Sequence, residues 1–338
     1  MSWMSDFEEK YEEYDESSVR ERPNPKANRP RSKQRPEHAD AVPARVLSVD
    51  RGRYNVLVND GTPEETHVIA TRARERRSSA IVTGDQVDVV GDVSGQDGSL
   101  ARIVRLHERS TILRRSADDS DEIERIIVAN ADLMLMVVAA ADPEPRPRLI
   151  DRYLIAALDA GIEPIMVITK TDLADPSAFL KNFEGLDIET VLSRQDDPPI
   201  DFLTERLQGH TTVAVGHSGV GKSTLVNALV PSAKRATGHV NAVTGRGRHT
   251  SSSTESYRLG TGWIIDTPGV RSFGLGHVNP DNLLRGYADL ALVAETCPRG
   301  CTHLADAPDC AIAEAAAAGE LDGARVESLQ RLLASFEK

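Results

Sequence analysis

Gly216-His217-Ser218-Gly219-Val220-Gly221-Lys222-Ser223 reads G-x-x-x-x-G-K-S, the pattern of a loop that wraps phosphate. Its flanks agree with its letters: Thr211–Val215 before it is a short apolar run with strand character, and Thr224–Leu229 after it has helical composition. The glycines let successive backbone N–H groups curl around phosphate oxygens, and the following helix adds the positive end of its dipole. Lys222 is expected to reach the β- and γ-phosphates and the Ser223 hydroxyl to ligate Mg2+, with Thr224 beside it. On its own this loop specifies only a nucleoside triphosphate.

Working outward, Asp266-Thr267-Pro268-Gly269 closes the apolar run Trp263–Asp266. In a parallel sheet, ligands sit at the carboxyl ends of strands, so Asp266 is expected to hold the hydration shell of Mg2+ and the Gly269 N–H to meet the γ-phosphate. Elsewhere D-T-P-G would pass for a turn. Between the two motifs, residues 245–254 form a polar, glycine-containing stretch in which Thr250 could complete the Mg2+ shell. On the amino-terminal side, Thr169-Lys170-Thr171-Asp172 follows the apolar run Pro164–Ile168. An aspartate there can accept hydrogen bonds from guanine N1–H and its exocyclic amine. Adenine offers no such donor pair and would leave the carboxylate unpaired. By itself T-K-T-D is a weak signal, since such polar tetrads also cap helices.

The order is the informative part. The base-reading element precedes the phosphate loop and D-x-x-G, the reverse of ordinary small GTPases. A sheet tolerates this, because each loop's place depends on its strand and domain termini lie close together. The texture of residues 126–265 supports such a sheet. Leu133–Ala139 is apolar throughout, as in a strand buried on both faces, and Leu149–Ala160 carries Ile150, Leu154, Ala157 and Leu158 on one helical side.

Before this region, Ala44–Val49, Tyr54–Val58, His67–Ala70, Gln86–Val90 and Leu100–Leu106 alternate like strands, punctuated by Asn59-Asp60-Gly61 and Thr83-Gly84-Asp85. Five short strands fit a small closed barrel, most often of the oligonucleotide-binding (OB) type. Residues 1–40 combine an acidic block, a basic block and four prolines, which predicts disorder. After Asn279 the chain turns helical and alanine-rich, interrupted by Cys297, Cys301 and Cys310. An odd, clustered set of thiols in a reducing compartment points to a metal rather than to disulfides. With His303 between them, three thiolates and an imidazole make a tetrahedral Zn2+ set.

The 338 residues are 40% hydrophobic and 27% charged, and no run approaches the ~20 apolar residues of a membrane span. Early glutamates replace the basic and apolar regions of a secretory leader, so a cytoplasmic location is expected. The net charge of −12 argues against wholesale nucleic-acid binding and confines any such contact to basic patches. Residues 20–35 form one patch, and Arg72, Arg74, Arg76 and Arg77 form another.

From about Ala44 onward the chain resembles the RsgA (YjeQ) family of permuted ribosome-biogenesis GTPases. Ala129-Asn130-Ala131-Asp132, Leu149–Leu154, Gly161–Pro164, the nucleotide motifs, Gly245–Thr250 and Cys301-Thr302-His303 carry the likeness. Beyond the tail at 1–40, which lies outside the likeness, the resemblance implies an α/β chain with three parts: an OB barrel at 41–115, a permuted P-loop GTPase domain with a mostly parallel sheet at 116–278, and a helical zinc-binding domain at 279–338. It implies GTP and GDP as ligands, Mg2+, one structural Zn2+, and the 30S subunit with its 16S rRNA as partner. No membrane association and a monomeric state are expected. It also points to His249 as the residue that orients the attacking water, because Val270 stands directly after D-x-x-G and an aliphatic side chain cannot do so. Arg246 and Arg248 offer an alternative, contacting rRNA or stabilising transition-state charge.

Two departures from the family's pattern stand out. Thr169 replaces the usual Asn of the base motif, which predicts weaker nucleotide affinity with guanine preference kept. Cys297 and Cys301 are separated by three residues rather than four, and His303 and Cys310 by six rather than five. Two other readings remain: a permuted GTPase of the large subunit, against which the barrel and Cys/His cluster count, and a nucleotide-sensing RNA-binding adaptor with little hydrolysis.

Overall fold

A computed structural model describes residues 38–73, 80–116, 124–231, 233, 254–267, 273 and 275–335. Residues 1–37 of the expected tail, with Arg74, Arg76, Arg77, Arg246, Arg248, His249, Thr250, Gly269 and Val270, lie outside the described residues.

The described residues open with a barrel. Strands β1 (Val42–Asp50), β2 (Arg53–Val58), β3 (Thr66–Arg72), β4 (Gln86–Gly91) and β5 (Ala101–Leu106) run in the order β1-β2-β3-β5-β4, and β4 returns to β1. Alternation decides the inside: Ala44, Val46, Tyr54, Val56, Val58, Val68, Ala70, Val87, Val89 and Ile103 share one core. Arg72, expected among a basic patch, instead turns its guanidinium to the Tyr54 hydroxyl, 2.8 Å away.

A two-stranded ribbon, β6 (Ile112–Ser116) and β7 (Glu124–Ala129), joins the barrel to the nucleotide-binding region. The core strands there are β8 (Leu133–Ala139), β9 (Glu163–Thr169), β10 (Glu189–Leu192), β11 (Thr211–Val215), β12 (Glu255–Leu259) and β13 (Gly262–Asp266). β10-β9-β8-β11-β13 are parallel neighbours, and β12 lies antiparallel at their end. Burial on both faces explains the unbroken apolar run of β8. Met134, Met136 and Val138 enter one core cluster, while Leu133, Leu135, Val137 and Ala139 enter the other.

The helices are α1 (Pro147–Ala160), α2 (Ser177–Leu180), α3 (Ile200–Arg206), α4 (Lys222–Leu229), α5 (Ala288–Ala294), α6 (Ala311–Ala317) and α7 (Gly323–Ala334). α1 starts with Pro at its first turn and stops at Gly161, whose φ of +71° suits the left-handed cap. Its Ile150, Tyr153 and Leu154 share a cluster with Leu283, Tyr287, Leu290, Leu329 and Leu332, so the C-terminal helices are packed on the same core.

β12 is a shared strand. Its second edge pairs with barrel strand β1, at Ser48↔Glu255, which fuses barrel and parallel sheet into 11 continuous strands. The sequence reading anticipated the barrel and the parallel sheet, but neither β12 nor the ribbon. Both have short, charge-broken sequences (ESYRL, ILRRS) whose strand character comes from their neighbours.

Candidate nucleotide site and metal cluster

β9, β11 and β13 deliver their loops to one edge because they are parallel, and each functional group lies at the end of its strand or directly after it. After β11, Gly216 passes so close to β8 that a Cβ would stand 2.7 Å from the Val137 carbonyl oxygen. Gly221 has φ +91°, a conformation open to glycine, and opens α4. His217, Ser218 and Gly219 form the turn between them. Val220 is buried, Lys222 is buried, and Ser223 and Thr224 are exposed on the first turn of α4.

Lys222 Nζ pairs with the Asp266 carboxylate, so the phosphate-loop cation and the acidic end of β13 share one point. Thr267 locks that end: its Oγ1 donates to the Ala214 carbonyl on β11 at 2.7 Å.

At the end of β9, Thr169 is buried and its hydroxyl donates to the Val220 carbonyl of the phosphate loop at 2.6 Å. The Val138 carbonyl, at 3.2 Å, is the weaker alternative acceptor for that single proton. The substitution for Asn therefore keeps a bond to the phosphate loop. Lys170 has φ +57° and sends its ammonium to the Asp142 carbonyl. Thr171 hydrogen-bonds by both N–H and Oγ1 to the Ser193 carbonyl, at 3.3 and 3.2 Å. Asp172 is exposed, and its Oδ1 accepts the Gln195 N–H at 3.0 Å.

Sequence reasoning missed that last loop. Ser193–Gln195 follows the four-residue β10 and runs into Asp196-Asp197-Pro198-Pro199, which reads as linker. Its strand register beside β9 is what sets it against Thr171 and Asp172.

The Cys/His cluster lies between α5 and α6. Cys297, Cys301, His303 and Cys310 bring their ligand atoms within 4.8 Å of one another. His303 Nδ1 is 3.7 Å from the Cys297 sulfur and 3.8 Å from that of Cys310. A tetrahedral Zn2+ with bonds of ~2.3 Å to sulfur and ~2.1 Å to nitrogen has N···S edges of about 3.6 Å. The donors thus fit zinc in both identity and separation, despite the altered spacing. Gly300, at φ +79°, turns the short arm, and Cys310 caps α6, whose N-terminus favours a thiolate. Burial holds the His303 pKa below its usual range, with nearby Asp281 opposing, which favours the neutral, ligating imidazole.

The family model for the RsgA GTPase matches residues 106–276. The small ribosomal subunit biogenesis GTPase RsgA of Pseudomonas aeruginosa strain LESB58 is 38% identical over 270 residues, 76% of each chain. This chain belongs to the RsgA GTPase family. The namesake protein of Chlorobaculum parvum is 33% identical over 304 residues, covering 87% of this chain and 97% of its own. Among solved structures, YjeQ from Thermotoga maritima superposes with a TM-score of 0.64 at 23% identity, covering 88% of this chain and 99% of its own. YloQ, described as a circularly permuted GTPase, does so equally at 90% and 98% coverage. RsgA membership makes the chain a P-loop GTP hydrolase, and its fold is similar to that of a protein described as a circularly permuted GTPase.

Proposed function

We propose that this chain hydrolyses GTP to GDP and phosphate while assisting late maturation of the small (30S) ribosomal subunit. The observation that carries the reading is the bond from Thr169 to Val220, which joins a guanine-type base loop to a phosphate loop. It occurs in a chain matching a relative named for small-subunit biogenesis over three quarters of its length.

Within that reading Asp172 selects guanine, and the phosphate loop with Lys222 binds the β- and γ-phosphates. Ser223, Asp266 and Thr250 would hold Mg2+, which when bound would neutralise negative charge on the phosphates. Gly269 N–H meets the γ-phosphate, and His249 accepts a hydrogen bond from the attacking water. Cys297, Cys301, His303 and Cys310 would hold one structural Zn2+. The working division is a barrel at 41–115 and a zinc region at 279–338 that contact 16S rRNA, a GTPase domain at 116–278, and a tail at 1–40. The protein acts in the cytoplasm as a monomer.

GTP turnover measured with and without purified 30S subunits, with ATP as control, tests this. Stimulation of GTP but not ATP hydrolysis is expected, along with tighter 30S binding in a non-hydrolysable GTP analogue than in GDP. Equal 30S affinity in both nucleotides would overturn the reading. His249→Ala should abolish stimulated turnover and spare nucleotide binding; unchanged turnover assigns the water to another group.

A further inference from the structure

The barrel turn Thr83-Gly84-Asp85 is pressed into the seam between three chain segments. A Cβ on Gly84, whose φ is +92°, would stand 2.1 Å from the Ala129 carbonyl oxygen at the end of β7. The Ala129 N–H donates to the Thr83 carbonyl at 3.1 Å, and Asn130 Nδ2 donates to the Gly84 carbonyl at 3.0 Å. Towards the barrel, Gly84 N–H reaches the Val46 carbonyl at 2.9 Å and Val46 N–H reaches the Asp85 carbonyl at 2.8 Å. Asp85 is fully buried and accepts hydrogen bonds from Arg109 Nε at 2.6 Å and Nη2 at 2.8 Å.

The third segment is the start of β12. Thr83, 2% exposed, donates its hydroxyl to the Thr254 carbonyl at 3.1 Å, across 171 positions of chain. Glu255, the next residue, faces Ser48 of β1 on one side and Asp266 of β13 on the other. β1 bulges between Val46 and Ser48, and the bulged Leu47 packs with Leu57 and Trp263, tying β13 to the barrel from its outer side. One strand therefore touches the barrel along one edge and the strand ending in Asp266 along the other.

We propose that Thr83 is a positioning residue that couples the barrel to the nucleotide site. Its hydroxyl fixes the point at which the chain enters β12, and β12 passes that position to Asp266. A ligand on the barrel and a nucleotide at the phosphate loop then bias the same strand, and such coupling is reciprocal by thermodynamic necessity. This rests on the reading above, in which Asp266 serves Mg2+ and the barrel meets rRNA.

Thr83→Val removes the donor at nearly constant volume, and Thr83→Ser restores it. Two measurements separate the outcomes. First, unstimulated GTP turnover should stay within about twofold of wild type in both variants, while stimulation by purified 30S subunits falls about fivefold or more in Thr83→Val alone. Second, without subunits, hydrogen exchange at the amides of Val46, Gly84 and Ala129 should differ between GDP and a Mg2+-loaded GTP analogue. That difference should persist in Thr83→Ser and vanish in Thr83→Val. Nucleotide-independent exchange in wild type, or a Thr83→Val variant matching wild type in both assays, overturns the proposal. If subunits fail to stimulate the wild type while exchange in the turn still follows the nucleotide, the 30S reading fails and the coupling stands.

Discussion

At the nucleotide edge each functional group arrives with its own strand: Thr169 ends β9, Gly216 follows β11 and Asp266 ends β13. The seam between barrel and sheet is assembled instead from residues far apart in the chain. Arg258 of β12 reaches Asp60 of the barrel across 198 positions at 2.6 Å, and stacks with Arg45 on Trp263. The edge is made of short motifs whose chemistry survives permutation, because a parallel sheet presents strand ends together in any chain order. The seam depends on the particular contacts that hold two cores in one register. Damage at the edge should therefore remove chemistry and leave stability, while damage at the seam should do the reverse.

Lys222→Ala is the largest expected effect at the edge. It deletes the cation proposed to meet the phosphates, and a loss of roughly 10²–10³ in kcat/KM is expected, in line with removal of one preorganised electrostatic group. The unfolding midpoint should fall only modestly, since the Asp266 side chain keeps 18% exposure and solvent reaches the carboxylate left behind. Turnover and urea unfolding on the same sample check both halves. A large stability loss would mean that this pair belongs to the scaffold as well.

Asp85→Ala probes the seam. Asp85 is wholly buried, Arg109 is only 11% exposed, and the carboxylate also accepts the Val82 N–H at 2.8 Å. Removing one partner of a buried pair strands the other, at a cost of about 3–5 kcal/mol. GTP affinity of the folded fraction should change little. A loss below about 1 kcal/mol in chemical denaturation would show that water reaches Arg109 and that the seam is looser than its geometry.

This contrast also explains what could be read in advance. The phosphate-loop pattern, T-K-T-D, D-T-P-G and the Cys/His spacing are local, so each suggests its chemistry within a few positions of chain. The alternating barrel strands and the doubly buried β8 follow from period and burial. Asp85, Thr83 and Arg258 carry no such signal, since a charged or hydroxyl residue beside a turn looks the same whether it is solvated or buried against a distant segment. Ser193–Gln195 was hidden for a related reason: its role comes from β10 lying beside β9, not from its own letters.

Thr169 sits between the two cases, a motif residue whose contact is long-range. The hydroxyl's bond to Val220 closes the base loop on the phosphate loop, and a Cβ added at Gly221 would meet the Thr169 hydroxyl at 3.6 Å. Thr169→Val keeps the packing and leaves the Val220 carbonyl without its donor. The net worth of such a bond, about 1–1.5 kcal/mol, corresponds to roughly tenfold weaker GDP and GTP binding. Preference for guanine over adenine should persist, because Asp172 is held separately by the Gln195 N–H. Titration calorimetry with GDP and ADP tests this. Unchanged GDP affinity would show that the two loops are joined by packing alone.

The smallest effect is expected at a second long-range seam, where Arg325 of α7 bonds Asp289 on α5 and Asp187 beyond the sheet, over the Tyr287 ring. The hydrogen bond from Arg325 holds the Asp289 pKa below the usual carboxylate range, with burial opposing. A lowered folded pKa means that the unfolded chain binds the proton more tightly, so acid favours unfolding. The contribution is present in full above about pH 4 and fades as pH falls through the folded value. Asp289 is 42% exposed, and screening by solvent limits the pair to under about 1 kcal/mol. Asp289→Asn should therefore cost a small increment at neutral pH, and the gap to wild type should close in acid. Denaturant midpoints across the acid range decide it: a gap that widens as pH falls would mean that Asp289 is stabilised by its proton, and that Asp187 alone carries the ion pair with Arg325.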